Sequence, residues 1–326
     1  MAAFVEKRKS LAEKRPVPIS EAEKKAKDSS ARLSIAVAGF LIIIKTIIGI
    51  LTGSISVWAS LLDSAMDIVA SIVNLLAIRA AARPADEHHA YGHGKAESLA
   101  ALFQSIVIAA SGVFLIREAV IRILTPVQIR SEWLGILGML VAVVVSIALV
   151  VRLTKVAVQT DSLAIKSDAQ HYKTDIYTTL SALLSLLISS LFHLTIADPV
   201  ISIAIAIYII WSAIWLAKDS IDILMDKRLP SSIDEQIAGI IGRYEPFGVL
   251  GFHDLRTRRS GSIKFIDLHL EVEHDKSLKD AHEITEEVLR VIESEIPRSK
   301  VQIHTDPGRY SEHQDDVRSF LSIDSH

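Results

Sequence analysis

Ile35-Ala36-Val37-Ala38-Gly39-Phe40-Leu41-Ile42-Ile43-Ile44 is apolar all the way round a helix. Helices of soluble proteins usually keep a polar stripe, and this stretch leaves no face for water. It sits inside a longer run, Leu33 to Leu62, whose one charge is Lys45. Ser98–Ile116, Trp133–Val151, Ile176–Ala197 and Pro199–Ala217 contain no Asp, Glu, Lys or Arg at all. About 20 apolar residues span the hydrocarbon core as a helix, so these stretches predict five spans. A sixth, from Ser56 to Ala82, is apolar except for Asp63, Asp67 and Arg79.

The rest of the composition narrows the function. The chain has 326 residues, 50% of them apolar, 22% charged, with a formal net charge of −3 and no cysteine. The missing cysteine excludes disulfides, thiolate metal sites and cysteine catalysis. The near-neutral charge argues against nucleic acid as a partner. Basic residues set the orientation. Residues 1–32 hold nine Lys or Arg; the loop after span two has Arg79, Arg83 and Lys95; the loop after span four has Arg152, Lys155, Lys166 and Lys173. Both termini are therefore expected on the cytoplasmic side of the bilayer.

Past Asp219 the pattern changes. Residues 233–244 repeat at helical spacing, 249–258 read as a strand, and Arg259–Ser262 as a turn. Ile266, Leu268, Leu270 and Val272 alternate with Asp267, His269, Glu271 and Glu273, the mark of a half-buried strand. Residues 278–296 read as an amphipathic helix and Val301–Ile303 as a last strand. The expected organisation is a polar tail over 1–30, a six-helix membrane domain over 31–218, a small α+β domain (α-β-β-α-β) over 219–310 and a polar tail over 311–326.

The chemistry begins with Asp63 and Asp67, one helical turn apart on one face. A charge at membrane depth costs about 2.5–3.5 kcal/mol on the insertion scale, so protons, a cation or a basic partner must offset it. His171 and Asp175 repeat the four-residue spacing in span five. Facing helices would bring three carboxylates and one imidazole to a common point, a full tetrahedral set for a divalent transition metal. Burial keeps protons on an empty set and metal must expel them, which couples the cation to protons.

These pairs, with Ser60-Leu61-Leu62-Asp63-Ser64-Ala65-Met66-Asp67, Tyr91-Gly92-His93-Gly94-Lys95-Ala96-Glu97 and His253-Asp254-Leu255-Arg256-Thr257-Arg258, resemble the cation diffusion facilitator family, nearest its bacterial zinc and iron exporters. The resemblance covers about residues 30 to 308. It implies a homodimeric, proton-coupled efflux carrier in a lipid bilayer, with a cytoplasmic metallochaperone-like (ferredoxin-like) domain. It places Asp63, Asp67, His171 and Asp175 at the transport site, in the zinc- and cadmium-carrying branch. It implies a loop site at Asp86, His89 and His93, and a cytoplasmic-domain site at His253, His269, His282, His304 and Asp306. It also implies an ion pair between Lys95 and Asp226. The cargo follows as Zn²⁺, which the cytoplasmic domain would also bind, with protons as counter-ion.

Iron(II) or manganese(II) as cargo, or a membrane metal sensor or assembly protein that does not transport, remain the competing readings. An enzyme is not expected: there is no His-Glu-x-x-His, and four ligands leave no open catalytic position. The absence of a signal or transit peptide, and of a long His-rich loop between spans four and five, points to a bacterial inner membrane.

Overall fold

The structure is a computed structural model that describes residues 20–52, 55–124, 133–192 and 196–308. Most of both expected tails, residues 1–19 and 309–326, lies outside them. The chain divides into two compact units, one over Glu21–Met225 and a C-terminal one from Asp226.

The first unit holds six long helices: α1 (Glu21–Thr52), α2 (Ile55–Ala81), α3 (Lys95–Leu124), α4 (Trp133–Thr160), α5 (Leu163–Phe192) and α6 (Ala197–Leu224). Among the described residues, α1, α2, α3, α4 and α6 carry stretches long and apolar enough, by composition, to cross a membrane. Large apolar side chains stand exposed along them, among them Ile43, Ile50, Leu76, Ile106, Val144 and Ile207. Such exposure is costly in water and free in lipid.

α1 starts at Glu21, well before the apolar run. Its first turns look hydrophilic in sequence, yet Lys27, Ser30, Ala31 and Ser34 form a buried face at helical spacing. Lys27 Nζ meets Glu97 Oε1 of α3 at 2.9 Å, with only 10% and 3% of the two side chains exposed. Ser162 Oγ donates to the other carboxylate oxygen at 2.6 Å and accepts from the Ile165 amide at 3.4 Å, capping α5. α5 likewise starts before its apolar stretch, at Leu163. Lys166 in its first turn pairs with Asp219 of α6 at 2.7 Å.

Two apolar cores hold the unit together. One joins α1, α2, α4 and α5 through Ala31, Ile78, Leu153, Ile165 and Tyr172. The other joins α3 and α6 through Ile108, Ile209 and Ala213, with Leu163 from α5. Gly112 lets α3 approach α6 closely: a Cβ there would stand 2.7 Å from Ile210 Cγ1 and 3.3 Å from the Ala206 carbonyl oxygen.

The C-terminal unit runs α7 (Ser231–Gly242), β1 (Val249–Ser260), β2 (Ile263–Glu273), α8 (Leu278–Glu295) and β3 (Ser299–Gly308). The sheet order is β1-β2-β3; β2 is antiparallel to β1 and parallel to β3. Ile237, Ile240, Ile266, Leu268, Leu270, Val288 and Ile292 form its core. The hairpin is tighter than the sequence suggests, since β1 continues to Ser260 and Gly261 turns with φ +59°. β3 is longer than its apolar centre at 301–303, because its backbone pairs with β2 from Ser299 to Gly308.

Removing Glu97 alone takes away the charge that compensates buried Lys27, which costs about 3–5 kcal/mol. Glu97→Gln is therefore expected to lower the thermal unfolding temperature in detergent clearly. Lys27→Met with Glu97→Leu should recover most of that loss; a double variant no more stable than the single one would show the pair is not the cause.

Candidate metal centres

The first centre lies between α2 and α5. Asp67 Oδ1 stands 2.9 Å from His171 Nε2, and Asp175 Oδ2 stands 3.8 Å from the same nitrogen. The three offer ligand atoms within 4.8 Å of one another. Exposure rises across the set, from 5% of the His171 side chain to 22% for Asp67 and 37% for Asp175. Asp63 belongs to α2, one turn before Asp67, but its side chain lies outside the described residues. Two carboxylates facing one imidazole form a nitrogen-and-oxygen donor set suited to a divalent transition metal.

Sequence reasoning missed Asp168. It sits on the face of α5 that carries His171 and Asp175, three residues before the histidine, and is 1% exposed. Ser34 Oγ of α1 donates to its Oδ2 at 2.5 Å. The i, i+3, i+7 spacing of Asp168, His171 and Asp175 was the available signal.

The second cluster occupies the loop between α2 and α3. Asp86 accepts the backbone N–H groups of His88 at 3.0 Å and His89 at 2.7 Å. His89 Nδ1 and His93 Nε2 each lie 3.3 Å from an Asp86 oxygen, and the two rings are 4.4 Å apart. The His89 amide, chiefly, holds the Asp86 carboxyl below its ordinary range. Gly92, with φ +83°, provides the left-handed turn that brings His93 back toward Asp86.

The third cluster lies on the sheet of the C-terminal unit. Register places His253 opposite His269 and His269 opposite His304. Their rings form a ladder, with centroids 5.0 and 4.8 Å apart. Asp306 reaches all three imidazoles: His269 Nδ1 at 2.8 Å, His253 Nε2 at 3.2 Å and His304 Nε2 at 3.2 Å. Burial pushes the Asp306 carboxyl up, but the His269 hydrogen bond and the surrounding rings outweigh it and hold it low.

Two ligand sets share His269: one adds His253 and Asp254, the other His304 and Asp306. Asp254, also missed, sits at a register shift in β1 with φ +50°; such a bulge re-aims side chains. Glu271 Oε1 lies 3.6 Å from His253 Nε2. His282 stands exposed on α8 and joins neither set among the described residues. As for Lys95 and Asp226, Lys95 Nζ donates to the Leu224 carbonyl at 3.1 Å. Asp226 accepts from Arg258 Nη1 at 3.3 Å.

Comparison with known proteins follows the same division. Residues 31–225 match the cation efflux transmembrane domain, and residues 229–308 match the cytoplasmic domain of cation efflux proteins. The cation-efflux pump FieF of Cronobacter sakazakii is 41% identical over 271 residues, covering 83% of this chain and 89% of that protein. FieF of Serratia proteamaculans is 38% identical over 279 residues, covering 86% and 92%. The structure of CzrB in its zinc form aligns with 27% of this chain and 98% of that one, at 30% identity and a TM-score of 0.25. The chain belongs to the cation diffusion facilitator family and is a multi-pass membrane protein of divalent metal cation efflux.

Proposed function

We propose that the protein exports zinc, and with it cadmium, from the cytoplasm in exchange for protons. The observation that carries this reading is the convergence of Asp67, His171 and Asp175 from two helices onto one point, with the imidazole buried and the two carboxylates partly exposed. An imidazole beside carboxylates suits zinc, and Asp63 supplies a fourth ligand on the same face of α2. Ligands must shed protons to take metal, so the two cargoes compete for one site. In alternating access, cytoplasmic metal loads the deprotonated set and external protons displace it. Both termini are cytoplasmic in this reading, and the membrane is a bacterial inner membrane.

The C-terminal cluster fits zinc as well: two overlapping sets, His253 with Asp254 and His269, and His269 with His304 and Asp306, each offer nitrogen and oxygen donors within 4.8 Å of one another. We assign it to metal that joins two copies into a homodimer and biases the transport equilibrium. Linkage makes that bias reciprocal between the two sites. Asp86, His89 and His93 provide a third, exposed binding point. A second cargo, iron(II) or manganese(II), is kept because imidazole and carboxylate donors accept these metals too, and selection among them follows geometry and availability more than raw affinity.

The test is flux in proteoliposomes under an imposed pH gradient, with Zn²⁺, Cd²⁺, Fe²⁺ and Mn²⁺ offered one at a time. Gradient-dependent zinc movement that Asp67→Ala abolishes is the expected result. Iron or manganese flux without zinc flux would overturn the cargo and keep the mechanism. Separately, Asp306→Ala should lower the zinc bound per chain at equilibrium while Asp67→Ala flux-null protein keeps its C-terminal zinc. Unchanged binding in Asp306→Ala would remove the C-terminal assignment.

A further inference from the structure

The transport site has a polar continuation inside the bundle. On α2, Asp67, Ser71 and Asn74 recur at one face; on α5, Asp168, His171, Tyr172 and Asp175 do the same. The two faces pair in rungs. Asp67 meets His171, and Ser71 Oγ lies 3.5 Å from the Tyr172 hydroxyl. Asn74 stands beside the Asp168 carboxyl. α1 closes the last rung: Ser34 Oγ donates to Asp168, and the Tyr172 hydroxyl donates to the Ser34 carbonyl at 3.0 Å.

The last rung is under-satisfied. Asp168 Oδ1 and both amide atoms of Asn74 are buried and make no hydrogen bond within 3.5 Å among the described residues, although the Asn74 side chain is near enough to favour the Asp168 charge; the two residues are 1% and 2% exposed. Each unmet buried polar group costs about 1–3 kcal/mol. A purely structural tie between α1 and α5 does not need this arrangement, because a neutral side chain could accept the Ser34 hydroxyl without a carboxylate. The free oxygens are hard donors: a carboxylate and an amide carbonyl, with two hydroxyls at hand. Such a set takes a partly hydrated divalent cation and, lacking imidazole, holds a transition metal less firmly than the His171 site. A stop on a conduction path must bind weakly enough to release.

We propose that Asp168, with Asn74 and Ser34, forms a second and weaker cation station that hands divalent metal to the transport site. It lies on the side of that site nearest the start of α1. The proposal rests on the reading of Asp67, His171 and Asp175 as the transport site. Asp168 would raise the rate of loading without setting the final affinity.

The experiment measures initial zinc flux against zinc concentration in proteoliposomes of the full chain, with equilibrium zinc binding to the same preparations in detergent. Asp168→Asn should raise KM about tenfold while the saturated rate stays within about twofold, a loss confined to kcat/KM. Zinc affinity at the Asp67-dependent site should not change, and Asp168→Glu should restore KM. Asn74→Leu and Ser34→Ala, which keep the carboxylate, should raise KM less; they also carry the test if Asp168→Asn does not fold. Wild-type KM in both of these together with wild-type KM in Asp168→Asn or its failure to fold overturns the station. So does a fall in transport-site affinity that parallels the loss of flux, which would make Asp168 a positioning residue. Flux that survives Asp67→Ala sinks the transport-site reading itself, whereas normal Asp168→Asn kinetics beside a dead Asp67→Ala sinks this proposal alone.

Discussion

The 2.9 Å contact between Asp67 and His171 is the point on which the first unit turns. A carboxylate in an apolar bundle is expensive unless something answers its charge. An imidazole is the one side chain that can answer it in two ways, as a proton-bearing partner or as a neutral co-ligand to metal. The helices are arranged around that choice. α5 must carry polar residues into the bundle, and it can do so because α1, α2 and α6 provide partners at Ser34, Ser71 and Asp219.

The same economy of charge explains the ends of the helices. Lys27 and Glu97 are buried where lone charges would not be tolerated, and Ser162 satisfies the remaining carboxylate oxygen while starting α5. A buried pair adds little net stability, but it penalises any packing that separates its partners. It therefore fixes which turns of α1, α3 and α5 meet.

Much of this was legible in the sequence. Charge-free runs gave the helices their places, and strict alternation at 266–273 gave the central strand. The i, i+4 pairs Asp63/Asp67 and His171/Asp175 marked two faces, and the described members of those pairs do converge. What stayed hidden depends on partners far away in the chain. The first turns of α1 read as a hydrophilic tail because Lys27 finds Glu97 only in the folded bundle. α5 begins earlier than its apolar run because Lys166 pairs with Asp219 of α6 and one Asp168 oxygen accepts from Ser34 of α1. Asp254 could not be read as part of a ligand set without the bulge that turns it.

The histidine ladder also bears on how the sheet finds its own alignment. Side chains alternate between faces along a strand, so a slip of one residue between β2 and β3 would send His304 and Asp306 to the core and bring their neighbours out. Parallel pairing gives no tight turn to prevent such a slip, since β2 and β3 are joined through α8. Metal held by His269, His304 and Asp306 would bind only the correctly aligned sheet and stabilise it by mass action. An ion bound there would thus favour the aligned sheet over a slipped one, tying metal occupancy to the strand frame.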